Sequence, residues 1–265
     1  MSDILLTNDD GYRSAGFLPL LKELSKSFSV FSITPDSEKS WIGKAITTKE
    51  KLYLKKINKQ GFEINTLNGT PADCVQIGLF NLLKTRPRIV VSGINLGSNI
   101  GHARILCSGT VGAAMEASIE KVKSIATSLR IPFEIKKTLD LFDEKNYYFF
   151  ENAAKITVKL TKILIDKDFD DDTDLFSINI PYDATLESDI EIAKPFKDPY
   201  GQLFHRKDDY FFHKTPRLEF KNLKIGTDLK TLSEGKISVT PLSLSFVSDK
   251  SLKNYEKSLK DLWYE

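Results

Sequence analysis

The chain has very little sulfur or imidazole with which to do chemistry. It contains two cysteines, Cys74 and Cys107, and three scattered histidines, His102, His205 and His213. Neither cysteine belongs to a Cys-x-x-Cys pair, which argues against a disulfide framework and against a thiolate zinc site. A multi-histidine metal centre has no support in the sequence either, and a reducing cytoplasm is the compartment that this composition favours.

Long hydrophobic runs and an excess of one charge are also missing. No apolar run approaches the roughly 20 residues that span a bilayer, and residues 1–3 show neither a basic region nor a cleavage signal. The 38 basic and 36 acidic residues give a net charge of +2, so we expect no membrane partner and no specific nucleic-acid binding. The length of 265 residues, 41% of them hydrophobic, suits one large domain or a domain with an appended piece.

Short apolar runs and amphipathic stretches alternate along the first two thirds of the chain. The apolar runs predict strands at residues 4–7, 29–34, 89–91, 124–129 and 176–180. Helical spacing predicts helices at residues 17–28, 71–83, 108–120 and 147–165. Alternation of strand and helix is typical of a parallel sheet, so we predict an α/β fold. Residues 45–66 alternate around Gln60 and Gly61 and predict an additional β-ribbon.

The pattern changes after Pro181. Residues 183–220 are rich in charges and aromatics and lack clear helices, which is typical of hairpins or a projecting arm. The aromatics are Tyr200, Phe204, Tyr210, Phe211, Phe212 and Phe220. We divide the chain into a core, 1–182, and an oligomerisation part, 183–265, which holds a β-rich arm and a C-terminal helix. A strand at 236–242 is expected to return to the core.

Asp9 and Asp10 stand side by side directly after the first predicted strand. Ligands collect at the carboxyl ends of the strands in an open α/β sheet. Two adjacent carboxylates placed there repel each other, and a hard divalent cation with oxygen ligands is the usual remedy. The alternative is a solvated turn, for which Asn8 and Gly11 supply the turn chemistry. These residues alone leave both interpretations open.

Two further strand ends bring oxygen ligands to the same edge of the predicted sheet. A polar turn from Asp36 to Ser40 follows the second strand, and Asn95 lies in the glycine-rich loop after the strand at 89–91. Because the carboxyl ends of parallel strands meet at one edge, these side chains are expected near Asp9 and Asp10. An all-oxygen set of ligands suits magnesium, manganese or calcium better than zinc or copper.

A third feature, Ser108-Gly109-Thr110, opens a predicted helix. Free backbone N–H groups, hydroxyls and the positive end of the helix make such a position a ready anion site. Serine and threonine are also the ordinary capping residues, so the motif alone leaves capping and phosphate binding open. A hard cation beside an anion site is the combination that phosphoryl chemistry requires.

Five motifs occur in order along the chain. They are Thr7-Asn8-Asp9-Asp10-Gly11, Pro35-Asp36 with Ser40, Asn68-Gly69-Thr70-Pro71-Ala72-Asp73-Cys74-Val75, Ser92-Gly93-Ile94-Asn95-Leu96-Gly97 and Ser108-Gly109-Thr110-Val111. Together they closely resemble the SurE family, the survival-protein family of 5′/3′-nucleotidases. Shorter similarities at Ser177–Pro181, Gly226–Asp228 and Ser238–Leu242 extend the resemblance over nearly the whole chain.

The resemblance implies a 5′-nucleotidase, a metal-dependent phosphatase that hydrolyses nucleoside 5′/3′-monophosphates to nucleoside and phosphate. It implies a Rossmann-like, mostly parallel sheet core with helices on both faces and a β-rich projecting C-terminal arm, assembled as a dimer or tetramer. One divalent metal ion per subunit, Mg or Mn, would be held by Asp9, Asp10, Ser40 and Asn95.

The resemblance also assigns the phosphate. It would contact Ser108, Gly109 and Thr110, and Asn95 and Asn99 lie close enough in sequence to contribute. Either aspartate, Asp9 or Asp10, would be catalytic, by accepting a proton or by attacking phosphorus. A haloacid-dehalogenase phosphatase, which forms an aspartyl-phosphate, uses Asp-x-Asp, so the adjacent aspartates favour attack by water.

The chain also departs from the family pattern, and rival functions remain. Residues 41–43 (Trp-Ile-Gly) replace a small residue after Ser40, and residues 102–107 lack the usual acidic-then-tyrosine pattern. A dehydrogenase would need Gly-x-Gly-x-x-Gly after the first strand, and residues 8–13 do not match. A nucleotide-sugar transferase, or a sensor that binds a nucleotide without turnover, stays open at this point.

Overall fold

The computed structural model describes residues 2–140, 142–197, 199, 201–215, 223–245 and 248–264. Two of the arm aromatics, Tyr200 and Phe220, lie outside these residues. The strands are β1 (Ile4–Thr7), β2 (Val30–Pro35), β3 (Leu54–Lys59), β4 (Phe62–Leu67), β5 (Ile89–Asn95), β6 (Ser124–Arg130), β7 (Leu175–Pro181), β8 (Ile190–Ile192), β9 (Phe204–Lys207), β10 (Tyr210–His213) and β11 (Ile237–Leu242). The α-helices are α1 (Phe17–Ser25), α2 (Pro71–Ile77), α3 (Gly101–Cys107), α4 (Gly109–Ile119), α5 (Phe133–Lys136), α6 (Tyr148–Ile165), α7 (Asp228–Ser233) and α8 (Asp249–Tyr264).

Nine strands form one sheet in the order β3-β4-β2-β1-β5-β6-β7-β11-β8. The six strands from β4 to β7 run parallel to one another. At the two ends, β3 pairs antiparallel with β4, β11 pairs antiparallel with β7, and β8 pairs parallel with β11. β9 and β10 form a separate antiparallel hairpin. The predicted α/β fold with a mostly parallel sheet is therefore confirmed.

Side chains of β1 alternate between two cores, one on each face of the sheet. Ile4 and Leu6 pack in the larger cluster with residues of α1 and α6, whereas Leu5 packs in a second cluster with Val75 of α2 and Ala113 of α4. All three β1 residues are fully buried. A strand covered on both faces is a continuous apolar run rather than an alternating one, which explains the pattern of residues 4–7.

The order of the strands reverses at β1. The chain passes from β1 to β2 and β4 on one side and then crosses to β5, which lies on the other side of β1. Such a switch point opens a crevice outside the carboxyl ends of the two strands, and ligands of doubly wound sheets bind there. The residues that follow β1 and β5 therefore flank a preformed crevice.

The β-ribbon predicted over residues 45–66 was wrong in its first half. Its strands are only β3 and β4, joined at Gln60 and Gly61, whose φ angles of 50° and 87° are those of a tight hairpin turn. Residues before β3 are held by helix α2 instead of by a sheet. The Asp73 carboxylate accepts hydrogen bonds from Thr47 N at 3.0 Å and Thr47 Oγ1 at 2.6 Å.

Helix α2 also ends earlier than predicted, and several short elements were not predicted. The helix expected over residues 71–83 ends at Ile77 and continues as a π-helical turn, Gly78–Leu82. The unpredicted elements include α3, α5, α7 and β8. Distant partners fix the start of α3, because Gly101 N donates to Asp228 Oδ2 at 2.7 Å and His102 N donates to the Phe196 carbonyl at 2.9 Å. Local sequence patterns do not reveal partners that are so far away in the chain.

The C-terminal part combines sheet residues with an exposed hairpin. β11 lies between β7 and β8, so both strands extend the main sheet. The hairpin aromatics that the structure describes remain 42% to 66% exposed, and they are Phe204, Tyr210, Phe211 and Phe212. None of the helices in the described ranges is long and apolar enough to cross a membrane.

Candidate functional site

One cleft of about 510 Å³ gathers most of the predicted site residues. Six of the eight line it: Asp9, Asp10, Ser40, Asn95, Asn99 and Ser108. The other two, Gly109 and Thr110, lie directly behind Asp9. Thr110 Oγ1 donates to Asp9 Oδ1 at 2.6 Å, and a Cβ atom on Gly109 would lie 2.8 Å from Asp9 Cβ. The sheet edge at β1 and β5 therefore brings together side chains that are far apart in sequence.

The turn after β1 holds the two aspartates in place. Asn8 is fully buried and exchanges two hydrogen bonds with Gly11, of 3.0 Å and 3.1 Å, which close the turn. Gly11 has a φ of 81°, a conformation that glycine adopts without strain. Asp9 and Asp10 are only 4% and 6% exposed. The turn chemistry is present as expected, but the carboxylates are not solvated, so the solvated-turn interpretation fails.

Burial makes both carboxylates costly to ionise without a counter-ion. It raises the pKa of Asp9 to about 6, although the Thr110 hydroxyl opposes this shift. The pKa of Asp10 is raised well above its ordinary value, first by burial and then by the charge of Asp9. Leu96 N donates to Asp10 Oδ2 at 3.1 Å, and the charge of Lys136 also lowers this pKa. A positive charge at this position would relieve the remaining repulsion.

The loop after β2 docks directly on the aspartate turn. Lys39 N donates to the Asp9 carbonyl at 2.8 Å, which brings Ser40 to the cleft. Ser40 Oγ donates to Glu38 Oε1 at 2.5 Å. Across the cleft, Asn95 Nδ2 donates to the Gly97 carbonyl at 2.5 Å. This bond engages the amide nitrogen of Asn95, so the side-chain oxygen is the atom with the chemistry of a metal ligand.

Helix α4 begins against Asp9. Ser108 is its N-cap and accepts a hydrogen bond from Val111 N at 3.1 Å, so the capping interpretation is correct for Ser108. The Thr110 hydroxyl serves Asp9 rather than the cleft. Gly109 is required for the close approach of the helix, because any Cβ atom would also lie 3.0 Å from Ile42 Cγ2. Anion binding at this end would therefore rely on the backbone and on the positive end of the helix.

Asn99 lies in the cleft wall and its side chain is engaged by neighbouring strands. Its Nδ2 donates to Ser128 Oγ at 3.0 Å, and its backbone N–H donates to Asn179 Oδ1 at 2.8 Å. Asn179 belongs to the similarity at Ser177–Pro181, so that segment supports the loop after β5.

Several residues that line the same cleft were not among the predicted site residues, although Trp41 and Arg104 fall in the two segments that depart from the family pattern. Two are cations, Arg104 on α3 and Lys136 on α5, and Lys136 Nζ donates to the Leu96 carbonyl at 2.7 Å. The others are Glu38, Trp41, Phe133, Phe142 and Thr215. A signal for Phe133 and Lys136 was available, because they follow the predicted strand at 124–129 and therefore lie at the same edge of the sheet as the other site residues. Thr215 had none, because it lies in the irregular segment after β10.

The donor set fits a hard divalent cation. Two buried carboxylates, an amide oxygen and a hydroxyl oxygen converge on one cleft, and oxygen donors are those that Mg²⁺ and Mn²⁺ prefer. The raised pKa values of Asp9 and Asp10 show that negative charge there lacks compensation. Among the residues that the structure describes, no group of three or more His, Cys, Asp or Glu side chains is placed to hold a metal, so the set in the cleft depends on two carboxylates and neutral oxygens.

Two residues with tempting chemistry are accounted for by other contacts. His102 is exposed and its Nδ1 contacts the Phe196 carbonyl at 3.2 Å, beside a separate cavity of about 300 Å³. Cys107 lines the main cleft, and its thiol donates to the Arg104 carbonyl at 3.5 Å.

Comparison with known proteins agrees with this architecture over the whole chain. The family model "Survival protein SurE" matches residues 4–202. Two proteins named 5′-nucleotidase SurE are similar to this chain. The one from Campylobacter jejuni subsp. doylei is 35% identical, with 98% of each chain covered. The one from Methanocaldococcus jannaschii is 36% identical, with 96% of this chain and 95% of that one covered. The crystal structure of SurE protein from Aquifex aeolicus superposes with a TM-score of 0.78 at 30% identity and covers 97% of this chain and 99% of that one. The chain therefore belongs to the SurE family.

Proposed function

We propose that this chain is a 5′-nucleotidase, which hydrolyses nucleoside monophosphates to nucleoside and phosphate with one divalent metal ion per subunit. The observation that carries the proposal is the pair of buried, adjacent carboxylates of Asp9 and Asp10, which face a cleft at the switch point of the sheet. Family membership supports the reaction, because relatives that match nearly the full length carry the name 5′-nucleotidase.

The residues that would hold the metal are Asp9, Asp10, Asn95 and Ser40. When bound, Mg²⁺ or Mn²⁺ neutralises charge on phosphoryl oxygens and makes a neighbouring water more acidic. Two carboxylates and two neutral oxygens leave positions for water and for substrate, as Mg²⁺ sites commonly do. Charged ligands bind a divalent cation more strongly than neutral ones, so the aspartates contribute more to metal binding than Asn95 and Ser40 do.

The side chains of the site divide the remaining work. Thr110 orients Asp9, and the Leu96 N–H orients Asp10, so that each carboxylate has one fixed oxygen. Either aspartate, Asp9 or Asp10, would accept the proton of the attacking water. The N-terminal end of α4 stabilises negative charge that develops on the phosphate.

A phosphate-release assay tests this proposal. A panel of nucleoside 5′- and 3′-monophosphates is incubated with Mg²⁺, with Mn²⁺ or with excess chelator, and free phosphate is measured. We expect activity only with the metals, and a fall in kcat/KM of roughly 10³-fold or more in Asp9→Asn and Asp10→Asn. Asp171→Asn is the matched control, because Asp171 is an exposed acid in the loop after α6.

Two results would contradict the proposal. Full activity in excess chelator would rule out the metal. Nucleotide binding without phosphate release, in protein of intact fold, would instead favour the sensor that the sequence left open.

We also propose that the protein acts as a homo-oligomer, a dimer at least. Exposed aromatics of the hairpin and of α8 support this assembly, and light scattering tests it.

A further inference from the structure

Three large aromatic side chains share the cleft with Asp9 and Asp10. Trp41, Phe133 and Phe142 line it and are 39%, 48% and 43% exposed. Aromatic surface in contact with water is unfavourable, and its concentration in a cleft of ligand size favours a ligand that covers it. The same cleft therefore presents oxygen donors and aromatic surface, which are two different kinds of binding chemistry.

The wall that carries the two phenylalanines is firmly placed. It belongs to the segment that joins β6 to α6, and Ile135 and Leu139 of this segment pack against the main core cluster. Lys136 Nζ donates to the Leu96 carbonyl at 2.7 Å, and Leu96 N donates to Asp10 Oδ2 at 3.1 Å. Two hydrogen bonds therefore connect the aromatic wall to one of the reactive carboxylates, so the position of the wall relative to that carboxylate is defined.

Trp41 lines the cleft from the loop after β2. The bond from Lys39 N to the Asp9 carbonyl, 2.8 Å, fixes that loop to the aspartate turn. Trp41 has a φ of 62°, a conformation that a bulky L residue rarely adopts. Its ring also meets His213 of the hairpin edge to face, with centroids 4.8 Å apart. The loop is thus fixed to the aspartate turn, and the indole itself contacts the hairpin.

We propose that Trp41, Phe133 and Phe142 form a nucleobase-binding wall, which selects phosphate monoesters that carry an aromatic base. This inference rests on the proposed nucleotidase function and adds the recognition of the base. Every nucleobase has a π face, so stacking on aromatic side chains binds bases with little discrimination among them. The phosphate lies at the aspartate end and the base lies against the aromatic wall, within a cleft of about 510 Å³.

Two substrates that differ only in the base test the wall. Adenosine 5′-monophosphate and ribose 5-phosphate share the phosphate and the ribose, and kcat/KM is measured for both. We expect the intact protein to prefer the nucleotide. Phe133→Leu and Phe142→Leu keep apolar bulk but remove the ring, and each should lower kcat/KM for the nucleotide by about 10-fold, mainly through KM. Turnover of ribose 5-phosphate should change by no more than about 2-fold, since no base is lost.

The control is Phe80→Leu. Phe80 is 53% exposed but is not among the residues that line the cleft, so this variant should treat both substrates as the intact protein does. Equal losses on both substrates would overturn the wall, because the phenylalanines would then support the cleft rather than the base. An unchanged preference for the nucleotide in both variants would overturn it as well.

Binding separates this inference from the proposed function. If neither substrate releases phosphate, the nucleotidase proposal fails, and calorimetric titration of both compounds still tests the wall. Tighter binding of the nucleotide, lost in Phe133→Leu and kept in Phe80→Leu, would preserve the wall. Equal affinity of the intact protein for the two compounds would overturn it.

Discussion

At the scale of single residues, the two buried aspartates lower the stability of the metal-free protein when they are ionised. The pKa of Asp9 is raised from 3.8 to about 6, chiefly by burial. The folded state therefore binds a proton more tightly than the unfolded state does. The stabilisation that comes from protonated Asp9 is fully present below about pH 4 and is lost as the pH rises through about 6. The free energy of unfolding falls by about 3 kcal/mol over this range. Metal binding near neutral pH would then restore stability by mass action.

We predict that Asp9→Asn stabilises the metal-free protein near pH 8. The substitution removes one of two like charges in a buried site, so the melting temperature should rise by roughly 5–10 °C at this chain length. Near pH 4 the variant and the parent should melt together. Thermal unfolding followed by circular dichroism in chelator, from about pH 4 to about pH 8, measures both. Parallel curves for the two proteins would contradict the prediction, and so would a variant that is less stable near pH 8.

The sequence located the acidic residues of the site but not the contacts that orient them. Adjacent Asp9 and Asp10 after an apolar run were visible, because residue type and strand end are local information. The function of Thr110 was not, because its partner lies 101 positions away in the chain. Lys136 was missed for the same reason: its contact with the Leu96 carbonyl depends on how β5 and β6 are joined in the sheet.

At the scale of elements, helix α4 approaches the site closely because of two glycines. A Cβ atom at Gly109 would meet Asp9 Cβ at 2.8 Å, and one at Gly112 would meet the Gly43 carbonyl oxygen at 2.3 Å. The first neighbour is a functional side chain, and the second is the backbone of a docked loop. Replacing either glycine with alanine would therefore displace a different neighbour, although the two positions are only one helical turn apart.

We predict that Gly109→Ala reduces activity by about 10-fold or more with little loss of stability, because alanine favours the helix by about 1 kcal/mol while it displaces Asp9. Gly112→Ala should instead lower stability by about 1–3 kcal/mol, because a backbone carbonyl cannot move aside easily. Phosphate release and urea unfolding of both variants measure the two effects. Unchanged kcat in Gly109→Ala would contradict the close approach of the helix to Asp9.

Elements were predictable where the chain repeats its own pattern. Strands β1 and β5 begin with unbroken apolar runs, since both of their faces are covered, and α6 has a regular apolar stripe. By contrast, β8 is a strand of three residues that exists because β11 lies beside it. The start of α3 depends on Asp228, far away in sequence. Short elements fixed by distant partners were therefore the ones that the sequence did not predict.

At the scale of the whole molecule, the C-terminal helix has an apolar face without an evident core. Leu252, Tyr255, Leu259 and Trp263 recur at helical spacing on α8 and are 57%, 65%, 63% and 83% exposed. Such a stripe normally covers another element. The described hairpin aromatics are exposed as well, so two parts of the C-terminal region expose apolar surface that a partner could cover.

We predict that a second copy of this chain is that partner, and that the intact protein is a dimer or tetramer, because closed symmetric assembly is the commonest way to cover such surfaces. Light scattering coupled to size exclusion should report at least twice the 30.0 kDa of one chain. Replacing Leu252, Tyr255 and Leu259 with glutamate should yield monomers or aggregates. Replacing Lys253 and Lys260 with glutamate alters charge on the same helix and should leave the assembly intact. A monomer that persists at every concentration of the intact protein would contradict the prediction, and the stripe on α8 would then have to cover its own chain.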